Sequence, residues 1–412
     1  MQANSPATLA FSSGTGRRKR MDVQPMKNVG RNGTIDLWRG LVLAIIFVNH
    51  IPGNIIEHAT PRSFGFSDSA EAFIFISGLS LALVYYHRIP QGDIIGVVRR
   101  CLRRSFELYR MHLLLTAGAI ALFSIGYELS DDIGLIEADG RNIVFGNTAK
   151  GVTGILLLGH QLGYFNILPL YIALMLWAPV ALVLARIHVL LALAVSFGIY
   201  ALARDGVLVL PTWPEPGTWF FNPFAWQLLF TIGIVTGVIF TQRPIPLTRT
   251  CQISAIVILT ASLLVVMDVF GLAPGLRDAA FTQLDLPKYD LGLGRLVHFI
   301  ALAYLVTQWR IGEKLERTIV GPDLKRLGRN GLVIFAAGSL LSALGQVIMT
   351  LTAVKSSASP HLIGMVFTLI GLMGLLALAR YLEWNKFNAD GPQNGRTRSL
   401  ALSSASPGRL PS

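Results

Sequence analysis

Apolar residues gather in ten runs of membrane length, at about 34–56, 70–87, 106–126, 165–185, 187–203, 223–241, 251–271, 292–309, 330–353 and 360–382. Short polar or basic segments separate them. A run of about 20 apolar residues is what a helix needs to cross hydrocarbon. The pattern therefore predicts an all-α, polytopic integral membrane protein of about ten transmembrane helices. The longest interruption, 127–164, holds an apolar stretch in KGVTGILLLGHQ (150–161) that is too short to span and is read as re-entrant.

The first run stands apart. TIDLWRGLVLAIIFVNHIPGNII carries Asp36, Arg39, Asn49, His50 and Asn54 among its apolar residues. Ionisable groups at membrane depth are costly and mark functional sites by default. Arg39 and His50 are eleven positions apart, so on one helix they share a face about 16 Å apart along the axis. Asn54 falls one turn beyond His50 on that stripe, and Asp36 is placed to pair with Arg39. Pro52 and Gly53 predict a kink or an unwound end just past the histidine.

Charge orients the spans. The chain has 412 residues, a net charge of +12, 52% hydrophobic and 14% charged residues. Soluble domains carry about 25% charged residues. The basic residues cluster in short connections: GRRKR at 16–20, Arg99, Arg100, Arg103 and Arg104, Arg243 and Arg249, and the loop from Arg310 to Arg329. Ten spans with both termini cytoplasmic place all of these clusters inside, as the positive-inside rule requires. The basic excess is then a topology signal and predicts no nucleic-acid partner. Residues 1–33 and 383–412 read as disordered cytoplasmic tails around a membrane domain at 34–382. No apolar core of a cleavable signal precedes the first run. Cys101 and Cys251 offer no disulfide framework, and His58, His87, His112 and His160 show no metal-ligand spacing, so no metal site is expected.

Several polar residues have two readings. His50 is suited to exchange a proton near neutral pH, or else is packed between helices on a carbonyl. Asp68 and Glu71 open the second run at i, i+3. They are carboxylates for His50 or His58, or interfacial groups facing water. Ser77 and Gly78 read as a close helix contact. Glu107 and Arg110 pair with each other, or Arg110 joins Arg39 and the 99–104 cluster to meet an anionic donor, since guanidinium groups bind phosphates bidentately. Arg295 and His298 form a second buried-looking basic pair. The aromatic loop 210–223 is an interfacial belt or a platform for sugars.

The arginine and histidine of the first run, ten residues intervening, resemble the signature of the acyltransferase type 3 membrane enzymes. The surrounding blocks are more specific. IDLWRGLVLAIIFVNHIPGN, GFSDSAEAFIFISGLSLAL, FNILPLYIALMLWAP, NPFAWQLLFTIG and LGRNGLVIFAAGSLLSALGQ, in that order, resemble the OpgC protein family from about Asp36 to Leu382. The resemblance implies a multi-pass inner-membrane enzyme that succinylates osmoregulated periplasmic glucans, with cytosolic acyl-CoA (succinyl-CoA by analogy) as donor substrate and no bound cofactor. It carries the family's histidine onto His50 and its arginine onto Arg39. Glu71 then supports His50, while Asp36, Asn49, Asn54, Asp68 and Arg110 are the expected substrate-side residues. The partners implied are the glucan, the acyl-CoA and the bilayer. Two other classes fit the same chain: a transporter of a glucan, lipid-linked sugar or organic anion, since broken helices and midplane polar groups suit one, and a non-catalytic subunit of a glucan synthase.

Overall fold

The computed structural model describes residues 33–89, 92–242, 248–268, 271, 274–355 and 359–389. The expected tails at 1–33 and 383–412 lie outside these residues except at their inner ends, as does Arg243. Among the described residues the chain is helical, with no strand beyond an isolated bridge between Pro211 and Thr218.

Ten long helices correspond to the ten apolar runs: α1 (Gly33–Asn49), α2 (Ser69–Tyr85), α3 (Ile94–Ser130), α7 (Ile167–Ile187), α8 (Val189–Arg204), α9 (Pro223–Gln242), α10 (Arg249–Val266), α12 (Leu293–Gln308), α15 (Gly331–Lys355) and α16 (Pro360–Ala389). Between them lie α4 (Gly134–Glu137), α5 (Arg141–Gly146), α6 (Thr148–Leu156), α11 (Pro274–Gln283), α13 (Ile311–Glu316) and α14 (Gly321–Arg329). Seven of the long helices are long and apolar enough to cross a membrane, whereas α1 has 17 residues and α8 and α12 have 16 each. The protein is a polytopic membrane protein.

The long helices alternate in direction. Arg39 near the start of α1 meets Ser80 near the end of α2, and α15 starts at Gly331 beside Arg39. At the other end, Arg295 at the start of α12 meets Glu71 at the start of α2, and His361 at the start of α16 donates to the Gly53 carbonyl. The bundle therefore has an Arg39 end and a His50 end. The first described helix starts, and the last one stops, at the Arg39 end.

Small residues set the closest crossings. A Cβ on Gly78 would collide with the Phe230 carbonyl, and one on Gly233 with that of Phe75, so α2 and α9 pack backbone to backbone. This is the close contact expected at Ser77–Gly78. Gly40 of α1 and Gly328 of α14 meet in the same way. That contact pulls the basic stretch 321–329, expected as loop, onto the first helix.

Three boundaries differ from the sequence reading. Helix α1 stops at Asn49 rather than near Ile56. Gly53 takes φ +65, and the Asn54 amide donates to the Val48 carbonyl, capping a helix-end acceptor from outside. Asn54 is thus not one turn along the helix from His50. Helix α3 begins at Ile94, so Arg99, Arg100, Arg103 and Arg104 lie on a helical extension instead of a loop. Helix α16 runs on to Ala389, where Glu383 pairs with Arg329 and Lys386 with the Asn330 side chain.

Candidate functional site

At the Arg39 end the helices leave a cavity of about 410 Å³ lined by Arg39, Arg104 and Arg329 with Phe73, Ser77, Leu108, Tyr171 and Phe335. That volume lies in the range of small-molecule sites. Arg39 is held on three sides: by Asp36 at 3.1 Å, by the Ser80 hydroxyl at 2.6 Å and by the Gly328 carbonyl at 3.4 Å. The expected Asp36–Arg39 pair is present, with Asp36 only 3% exposed. Arg104 pairs with Glu107 at 3.2 Å, and Arg329 with Glu383 at 3.1 Å and Asp36 at 3.8 Å. A guanidinium has five N–H donors, so a carboxylate partner does not exhaust its capacity for an anion.

The structure places Arg110 elsewhere. It is exposed, packs over the Phe106 ring at 5.9 Å, and Glu107 pairs with Arg103 and Arg104 instead of with it. Arg329 belongs to the cavity and was not singled out from sequence. Its signal, one cation in a basic loop, is what topology alone produces; only the α1–α14 crossing brings it to Arg39.

His50 follows the last residue of α1 and donates its backbone N–H to the Phe47 carbonyl at 3.1 Å. Its imidazole packs on the Tyr164 ring, centroids 4.5 Å apart. Among the described residues no hydrogen bond reaches the imidazole nitrogens. The ring lines a narrow crevice of about 10 Å³, with Asp139, Arg141, Tyr164, Ser339, Ser342 and Gln346. Lys288, Asp68 and Arg62 are within electrostatic reach of it.

Behind His50 lies a brace of four charges. Asp68 and Glu71 form a capping box that starts α2: the Asp68 side chain accepts from the Ala70 N–H at 2.7 Å, and the Glu71 carboxylate from the Asp68 N–H at 2.8 Å. Glu71 is fully buried and accepts from Arg295 at 2.7 Å; Lys288 meets Asp68 at 2.6 Å. Burial alone would raise the Asp68 carboxyl, but Lys288 and Arg295 hold it well below the usual carboxylate range. Glu71 therefore sits on Arg295. His298, its expected companion, faces Ser67, whose hydroxyl lies 2.7 Å from Nδ1. Asn49 accepts from the Thr60 hydroxyl at 2.7 Å, and Asn54 caps the turn at 55–59, so both shape the loop that follows His50.

Two ring contacts form part of the wall of the Arg39 cavity. Phe73 meets Tyr171 edge-on at 5.6 Å and Phe335 at 6.4 Å. Phe335 lines the Arg39 cavity, while Ser339 lines the His50 crevice. They are one helical turn apart, about 6 Å of rise. Among the described residues no group of three His, Cys, Asp or Glu is placed to hold a metal ion.

A protein-family model described as OpgC protein matches residues 31–387. The chain belongs to the OpgC protein family. No curated protein and no solved structure matches it. Membership covers α1 through nearly all of α16, so both cavities fall within the family's extent. It ties this membrane protein to modification of osmoregulated periplasmic glucans, as a glucan-modifying transferase.

Proposed function

We propose that this OpgC family member is an O-acyltransferase of the inner membrane. It moves an acyl group, succinyl by the family resemblance, from cytosolic acyl-CoA to hydroxyls of a periplasmic glucan. The Arg39 end faces the cytosol, where Arg39, Arg104 and Arg329 meet the phosphates of the donor. The pantetheine arm carries the thioester past the Phe73–Tyr171–Phe335 rings to His50. There His50 takes the proton of a glucan hydroxyl, and the oxygen attacks the thioester carbonyl. The C–S bond breaks as the ester forms, and the departing thiolate is protonated to free CoA. Fixed donors around a water-poor crevice favour such a reaction by stabilising the oxyanion.

The observation that carries this reading is the division of labour along α1. A cavity of about 410 Å³ rimmed by three arginines lies at one end. An imidazole without a hydrogen-bond partner among the described residues lies in a tight crevice at the other. Mass spectrometry of periplasmic glucans tests it, using cells that lack the gene and carry either the wild type or His50→Ala. Loss of an acyl mass on deletion, restored by the wild type alone, is the expected result. Glucans unchanged in every strain would remove the acceptor assignment. Altered glucan export with acylation intact would instead favour the transporter.

A further inference from the structure

The His50 crevice carries chemistry that a proton transfer does not require. Asp139 has φ +55, the left-handed region that non-glycine residues seldom occupy. Such a conformation persists where the surroundings over-determine it, and it concentrates at functional sites. Here three features hold it. The next residue, Gly140, has φ +79. His160 donates from Nε2 to the Gly140 carbonyl at 2.8 Å. A Cβ added to Gly163 would stand 3.2 Å from the Asp139 Cβ. The outcome is a carboxylate whose side chain is 45% exposed on the crevice wall.

Arg141 lies beside it and is 5% exposed. Its guanidinium sits 4.0 Å over the Phe123 ring and donates to Asp139 at 3.3 Å and to the Gly134 carbonyl at 3.2 Å. Its Nε is buried and has no hydrogen-bond partner among the described residues. Tyr164, whose ring contacts His50, is 47% exposed as a residue. A carboxylate that accepts, a guanidinium that donates and an open aromatic face match the two surfaces of a pyranose, its fan of hydroxyls and its C–H face. An anionic ligand fits less well, because Asp139 would oppose it. The crevice itself, about 10 Å³, has room for about one water at most, so a single hydroxyl enters while the rest of the ring lies outside over Tyr164.

We infer that Asp139, Arg141 and Tyr164 form the subsite that binds one sugar ring of the acceptor and presents its hydroxyl to His50. This inference rests on the reading of His50 as the base. Asp139 and Arg141 fix which hydroxyl points inward; Tyr164 supports the C–H face.

Calorimetry with a β-linked glucose tetramer, on the purified full chain, tests the subsite without requiring acyl transfer. Asp139→Asn and Tyr164→Ala are expected to weaken tetramer binding at least tenfold, and Tyr164→Phe, which keeps the ring, by less than twofold. Acyl-CoA affinity, which also reports folding, is expected within twofold of wild type in all three. Tetramer binding unchanged in Asp139→Asn and Tyr164→Ala would overturn the inference, as would an equal loss of acyl-CoA affinity, or a wild type that binds no tetramer. His50→Ala separates the two readings. Under the proposed function it binds the tetramer but transfers nothing. If it transfers normally, the role of His50 falls while the binding comparison still decides the subsite.

Discussion

The two ends of α1 solve opposite problems. At the Arg39 end the charged groups are engaged: Arg39 with Asp36, Ser80 and Gly328, Arg104 with Glu107, Arg329 with Glu383. They frame a cavity of about 410 Å³. At the His50 end the imidazole rests on a tyrosine ring in a crevice of about 10 Å³, while the charges behind it are paired with one another. A large cavity rimmed by guanidinium groups suits binding of an anion. A narrow one around an imidazole suits moving a proton. One short helix can carry both because it stops at Asn49, leaving His50 on a turn rather than buried within a longer span.

The largest way to break this contrast is to cut the brace at the His50 end. Arg295→Met strands the fully buried Glu71 carboxylate. Removing one partner of a buried pair costs about 3–5 kcal/mol. Thermal unfolding in detergent is expected to drop sharply for Arg295→Met and to recover in part when Glu71→Gln is added. At the other end, Arg39→Ala leaves Asp36 with Arg329 as a partner, so it should lower stability by less than Arg295→Met while raising KM for acyl-CoA by roughly 10- to 100-fold, the worth of a charge-assisted hydrogen bond or two. Steady-state kinetics with varied donor checks it, and KM for the glucan should hardly move.

A smaller effect sharpens the boundary between the two ends. Phe335→Trp enlarges the ring cluster in the wall of the Arg39 cavity, one turn before Ser339 of the His50 crevice. Overfilling a packed site costs about 1–3 kcal/mol of stability, and because Phe335 shares the cavity with the three arginines, donor affinity should fall modestly along with kcat, less than in Arg39→Ala, as equilibrium binding and steady-state kinetics would show. The smallest effect is a pH dependence. The folded-state pKa of Asp68 is depressed by Lys288 and Arg295, against the effect of burial. Its contribution to stability is therefore complete above its unfolded value, about 3.9, and is lost as pH falls from there toward the lower folded value. Melting temperature should be flat between neutral and mildly acidic pH and decline below about pH 4. Asp68→Asn should flatten that decline.

What the sequence disclosed follows from which forces act locally. The ten apolar runs were legible because burial in hydrocarbon needs a continuous stretch, and Pro52–Gly53 announced the end of α1 through backbone chemistry. The Asp36–Arg39 pair was legible because residues three apart are neighbours on a helix; Asp68 and Glu71 show the same spacing, but their capping box emerged only from the fold. The early start of α3 was not, since its first turns are arginine-rich and read as loop. Nor were the partners of the charges. Glu71 meets Arg295, and Asp68 meets Lys288, across more than 200 residues, a consequence of how α2 and α12 pack. Arg110 shows the same limit from the other side: it sits one turn from Glu107 yet points away from the cavity that Arg104 enters. Asp139 and Arg141 carry no signal within the long connection 127–164, and only the turn at Gly140 places them beside His50.

The central claim is that donor binding and chemistry belong to opposite ends of α1. The most direct measurement is a paired one on purified His50→Ala and Arg39→Ala: equilibrium affinity for acyl-CoA, and the rate of transfer to glucan at saturating donor. His50→Ala is expected to bind donor as the wild type does and to transfer none, whereas Arg39→Ala is expected to bind weakly but to regain much of its transfer rate at saturation. A His50→Ala protein that transfers normally, or an Arg39→Ala protein that binds donor normally, would contradict it.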